Sequence, residues 1–111
     1  MKKKSLLIIG SSGFFGTSII DYLYKKKQLS KKIKKLILIS RKNKNIKPKN
    51  FNKKFSIIEI KKDINNLKKI PYADYVIYCA INNDLEKDLS SVQKFVKIAK
   101  KYLKGSNILY T

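Results

Sequence analysis

Three glycines spaced three residues apart, Gly10, Gly13 and Gly16, carry the clearest chemical pattern in this chain of 111 residues. They follow the apolar run Leu6-Leu7-Ile8-Ile9 and open a stretch of helical periodicity. The pattern therefore predicts a buried strand, a tight turn and a helix N-terminus. Each glycine has its own use in such a turn. Gly10 permits the sharp change of direction, Gly13 lets the backbone approach a pyrophosphate, and Gly16 lets the helix pack closely on the sheet. Phosphate oxygens placed there would accept from free backbone N–H groups and face the positive end of the helix dipole.

A second set of chemically useful residues is Ser40-Arg41-Lys42, directly after the apolar run Leu36 to Ile39. Beside the ribose of a dinucleotide, a carboxylate at this place accepts from the 2′-hydroxyl of NAD, whereas a hydroxyl and a cation accommodate the 2′-phosphate of NADP. Positions 40 to 42 hold no acid, and Arg41 is the one arginine among 27 basic residues. Its planar fork suits a phosphate better than an ammonium does, so the pattern favours NADP over NAD. A solvated surface charge is the alternative role for Arg41.

Other chemistry is narrowed by what is missing. The chain has no histidine, which removes Ser-His and Cys-His nucleophile pairs and histidine metal sites. Cys79 is the single cysteine, so no internal disulfide forms and a reducing cytoplasm is expected. It reads as a small buried strand residue. Tyr22 and Lys26 match a Tyr-xxx-Lys spacing, but they lie on the helix beside the glycine turn in a lysine-rich chain, and we assign no catalytic residue and no metal site.

The elements that must position these residues alternate along the chain. A helix is expected from Gly13 to about Lys27, with Phe15, Ile19, Ile20 and Leu23 inward. Strands are expected at Leu36–Ile39, Phe55–Ile60, Tyr75–Ala80 and Asn107–Thr111. Residues 42–54 read as a basic, asparagine-rich surface connection. Asp63 can cap a short helix carrying Ile64, Leu67 and Ile70. Leu85, Leu89, Val92, Phe95, Val96, Ala99 and Leu103 define the apolar stripe of a long helix that Gly105 ends, with Lys87, Lys94, Lys97, Lys100 and Lys101 mostly opposite. This alternation predicts an α/β fold, a doubly wound parallel sheet of five strands in the order 3-2-1-4-5, as one domain over residues 1–111.

The segment Gly10-Ser11-Ser12-Gly13-Phe14-Phe15-Gly16 resembles the cofactor loop of extended short-chain dehydrogenases/reductases, the NAD-dependent epimerase/dehydratase group that acts on nucleotide sugars. Ile9 stands where that family usually has Thr. The succession Ala73-Asp74-Tyr75-Val76-Ile77-Tyr78-Cys79-Ala80 is similar to the family's fourth strand. The resemblance implies cofactor contacts at Gly10, Ser12, Gly13, Phe14, Phe15, Gly16, Ser40 and Arg41. It also implies that Asp63 and Ile64 border the adenine, the Asp63 carboxylate accepting from the exocyclic amine, and that Cys79 and Ala80 lie against the ribose. It extends over essentially the whole chain and stops where the family's catalytic Ser or Thr and its Tyr-xxx-Lys pair would follow. What it implies is thus the NAD(P)-binding portion of an epimerase, dehydratase or reductase, inactive by itself, whose nucleotide-sugar substrate binds only a longer form.

Composition bears on the alternatives. A net charge of +20 suggests polyanion binding in the abstract. The charge is almost entirely lysine and is spread over nearly every segment, so no specific nucleic-acid partner is expected. The apolar run after Met1-Lys2-Lys3-Lys4 is too short for a signal peptide, and no stretch approaches the roughly twenty apolar residues of a membrane span. A non-catalytic nucleotide-binding module, acting as sensor or scaffold, is the second reading, and a basic polyanion-binding protein the third.

Overall fold

The computed structural model describes residues 4–11, 14–25, 32–40, 56–79 and 85–110. In chain order these form β1 (Lys4–Ile9), α1 (Phe14–Lys25), β2 (Ile33–Ser40), β3 (Ser56–Lys61), a 3₁₀ turn (Ile64–Asn66), β4 (Tyr75–Tyr78), α2 (Leu85–Tyr102) and β5 (Asn107–Tyr110). The five strands make one sheet in the order β3-β2-β1-β4-β5, and every neighbouring pair is parallel. The expected doubly wound topology is therefore present.

The continuous apolar runs of β1 and β2 follow from burial on both faces. On one face Leu6, Ile8, Leu36 and Leu38 pack with Ile20 of α1 and with Cys79. On the other, Leu7, Ile9, Ile37, Ile39, Val76 and Tyr78 pack beneath Phe95, Ile98 and Ala99 of α2 and Leu103 just after it. Ile64, Leu67 and Ile70 join this second layer. Of the three only Ile64 lies in a helical turn, the expected short helix contracting to the 3₁₀ residues 64–66, with Leu67 and Ile70 in the connection that follows.

Two expectations are corrected in detail. β2 begins at Ile33, earlier than its apolar run: Ile33 pairs with Lys4 of β1 and Lys35 with Ser5, the register shifting at Lys34 between them. The inward stripe of α2 is also rotated. Leu89 is 57% exposed, whereas Ile98 and Ser91, absent from the expected stripe, are buried. Lys87, Lys94, Lys97, Lys100 and Lys101 all lie exposed, the last two in the final turn at the negative end of the helix dipole. No helix of the described residues is long and apolar enough to cross a membrane.

A polar clip ties the N-terminal ends of β1, β4 and β5 together. The Ser5 backbone N–H and hydroxyl donate to Asp74 Oδ2 at 2.9 and 3.1 Å, and the Asp74 N–H donates to Ser5 Oγ at 3.1 Å. Asn107 N–H donates to the Asp74 carbonyl at 3.0 Å, and the Ser106 hydroxyl donates to the Ala73 carbonyl. The Ser5 N–H bond, with help from the hydroxyl, holds the Asp74 carboxyl below its usual value of 3.8. A depressed carboxylate stabilises the fold above that value and loses its contribution as pH falls through the lower folded-state value. Asp74→Ala is therefore expected to cost about 1 to 2 kcal/mol at neutral pH, the scale of lost charge-assisted hydrogen bonds. In urea unfolding, the gap between the two proteins should close as pH falls below 3.8. A gap independent of pH would show that the carboxylate charge does not hold the clip.

Candidate functional site

From β1 the chain runs outward through β2 and β3 on one side, then returns to place β4 and β5 on the other. The C-terminal end of β1 thus sits at the reversal point of the sheet, where open α/β sheets leave a crevice. Gly10 lies at this end with φ +89°, a conformation that costs a residue with a side chain about 1 kcal/mol or more. The N–H groups of Gly10 and Ser11 both donate to the Ile39 carbonyl, at 2.8 and 3.2 Å. From the other side, the Cys79 N–H donates to the Ile9 carbonyl at 2.9 Å and its thiol to the same oxygen at 3.2 Å. The turn is consequently fixed to the ends of both strands that flank β1.

Gly16, inside α1, presses on this turn. A Cβ added there would lie 2.4 Å from the Gly10 carbonyl oxygen and 2.6 Å from Ser11 Cα. Both are backbone atoms, so helix and turn can approach this closely only through a glycine. The first turn of α1 carries no acidic side chain, so the helix itself brings no carboxylate to the positive end of its dipole.

The remaining expected contacts distribute as follows. Phe14 and Phe15 are the first two residues of α1. Ser12, Gly13, Arg41 and Ala80 lie outside the described residues. Ser40 ends β2 beside the turn but is only 3% exposed. Cys79 is 5% exposed on the α1 side of the sheet. Burial pushes its thiol up to about 11, so at neutral pH it is protonated and no nucleophile. Asp63 is half-buried just past β3, its carbonyl accepting from the Asn66 N–H at 2.9 Å, and Ile64 is buried in the α2-side core.

The structure therefore gathers Gly10, Gly16, Ser40 and Cys79 around the end of β1. Asp63 and Ile64 stand two strands away along the same edge, beyond β2. Toward β5 the edge carries an aromatic group in which Tyr78 packs on Phe95 with ring centroids 4.8 Å apart and on Tyr110 at 5.9 Å. Sequence reasoning passed over two participants. Ser11, given no cofactor contact, is fully buried and anchors the turn through its N–H. Lys61 ends β3 as the register partner of Ser40, and only the strand pairing places it there. Among the described residues no group of three or more His, Cys, Asp or Glu side chains could hold a metal ion. No family model matches the chain, and no curated protein is significantly similar to it.

Proposed function

We propose that this chain is the NAD(P)-binding portion of a nucleotide-sugar epimerase, dehydratase or reductase of the extended short-chain type. The observation that supports the reading best is the left-handed Gly10 turn, pinned to β2 and β4 and packed against Gly16 at the reversal point of the sheet. A dinucleotide pyrophosphate needs a close backbone approach beside a helix N-terminus, and these residues suit it. The dinucleotide would supply the hydride chemistry. The chain's own part is to bind and orient it: the α1 N-terminus and the glycine turn toward the pyrophosphate, the end of β2 toward the adenosine ribose, and the residues after β3 toward the adenine. Ser40 and Arg41, with no acid beside them, favour NADP over NAD.

Calorimetric titration of the purified chain at 0.15 M salt tests this. The expected result is saturable one-to-one binding of NADP⁺, tighter than that of NAD⁺. Such binding should change little with salt, because backbone N–H groups carry much of it, whereas affinity for duplex DNA should fall steeply as salt displaces the lysines. Absence of binding to either dinucleotide at millimolar concentration would refute the proposal. A discrete, salt-resistant affinity for one nucleic-acid structure would favour the polyanion reading.

A further inference from the structure

We infer that Lys61, on the neighbouring strand β3, supplies a further cation, in addition to Arg41, that reads the 2′-phosphate of NADP; this rests on the dinucleotide reading above. Ser40 is buried. At 3% exposure its hydroxyl is enclosed on the α1 side of the sheet, on the same face as Leu36 and Leu38. A phosphate at the end of β2 thus gains little from this hydroxyl and depends on the cations around it.

The pairing of β2 with β3 identifies one. Ser40 is the register partner of Lys61, the last residue of β3. Side chains of paired residues in adjacent strands project to the same face, and strands lie about 4.8 Å apart. Ile57 packs with the α1-side cluster, and by strand alternation Lys61 shares its face. Lys61 is exposed, and so is Lys62 after it. Glu59 lies on the same face but pairs with Leu38, one step further down the strand from the edge. Among the described residues, the outermost charge paired beside Ser40 is thus an ammonium.

An ammonium recognises a phosphate as a point charge and gains much less from a hydroxyl. Its removal should therefore act on NADP and spare NAD. Lys61→Ala in the full chain is expected to lower NADP⁺ affinity about tenfold while NAD⁺ affinity stays within about twofold, and Lys61→Arg should keep the preference. The NAD⁺ affinity doubles as the check that the variant is folded. Lys34→Ala serves as the control, since it removes the same charge from an exposed residue near the opposite end of β2. At about 3.3 Å per residue that site is about 20 Å from Ser40, well beyond the screening length of about 8 Å at physiological salt.

An unchanged NADP-to-NAD ratio in Lys61→Ala would overturn the inference. So would an equal fall in Lys34→Ala, which would assign the effect to net charge. Failure of the unsubstituted chain to bind either dinucleotide would overturn the functional proposal and this inference with it, and it would be visible before any substitution is made.

Discussion

Gly16→Ala is expected to destabilise the chain by about 3 kcal/mol and to weaken dinucleotide binding by more than about tenfold, the usual scale for forcing extra volume into a packed contact and losing a positioned hydrogen bond. The added methyl would stand 2.4 Å from the Gly10 carbonyl oxygen and 2.8 Å from the Ser11 carbonyl carbon. No side chain can rotate away to relieve this. The helix must lift from the turn, and the turn is itself held by Ile39 and Cys79. Gly105→Ala provides the contrast. Gly105 also has positive φ, +85°, but its added Cβ would meet nothing nearer than the Tyr72 hydroxyl at 3.8 Å. It follows α2 close to the N-terminal edge of the sheet, so its replacement should cost about 1 kcal/mol and leave binding unchanged. Equal binding losses in the two variants would mean that the Gly10–Gly16 contact has no special part in the site.

The largest loss of stability is expected from Phe95→Ala, about 3 to 5 kcal/mol, because the ring is fully buried and its removal leaves a cavity that a sheet and a helix cannot close. The ring packs against Tyr78 of β4 and, edge-on, against Tyr110 of β5 with centroids 5.9 Å apart. It therefore links α2 to both strands. A domain of this size is stable by about 5 to 15 kcal/mol, so the variant should unfold at a much lower urea concentration with little change in slope. A cost below about 1 kcal/mol would show that α2 is not held through this contact.

The core of the fold was readable because its signals are physically simple. Leu6–Ile9 and Leu36–Ile39 are apolar at every position, as strands covered on both faces must be, and the alternation with helical periodicity then leaves few topologies. The ends of elements were harder to read. β2 extends back to Ile33 because Ile33 and Lys35 pair with Lys4 and Ser5 of β1 along the backbone, which the lysine side chains do not decide. In α2, hydrophobicity alone could not distinguish Leu89, which faces outward, from Ile98, which faces the sheet. The rotation of that helix is decided by what Tyr78 and Val76 offer beneath it.

At the candidate site, the glycine spacing pointed to Gly10 and Gly16 because glycine marks backbone geometry directly. The Asp74 clip and the Ser40–Lys61 pair were not legible. Each joins residues from separate strands, and only the register of the sheet brings them together.

The most direct measurement of the central claim is an amide chemical-shift map of the isotope-labelled chain during titration with NADP⁺. Binding at the reversal point of the sheet predicts the largest shifts at Gly10, Ser11 and Gly16, with further shifts at Ser40 and Lys61 and almost none at Ser5, Asp74 and Asn107 on the opposite edge. Shifts spread instead over the exposed lysines of α2, such as Lys94, Lys97 and Lys100, and vanishing with added salt, would contradict the account, as would a spectrum that does not move at millimolar dinucleotide.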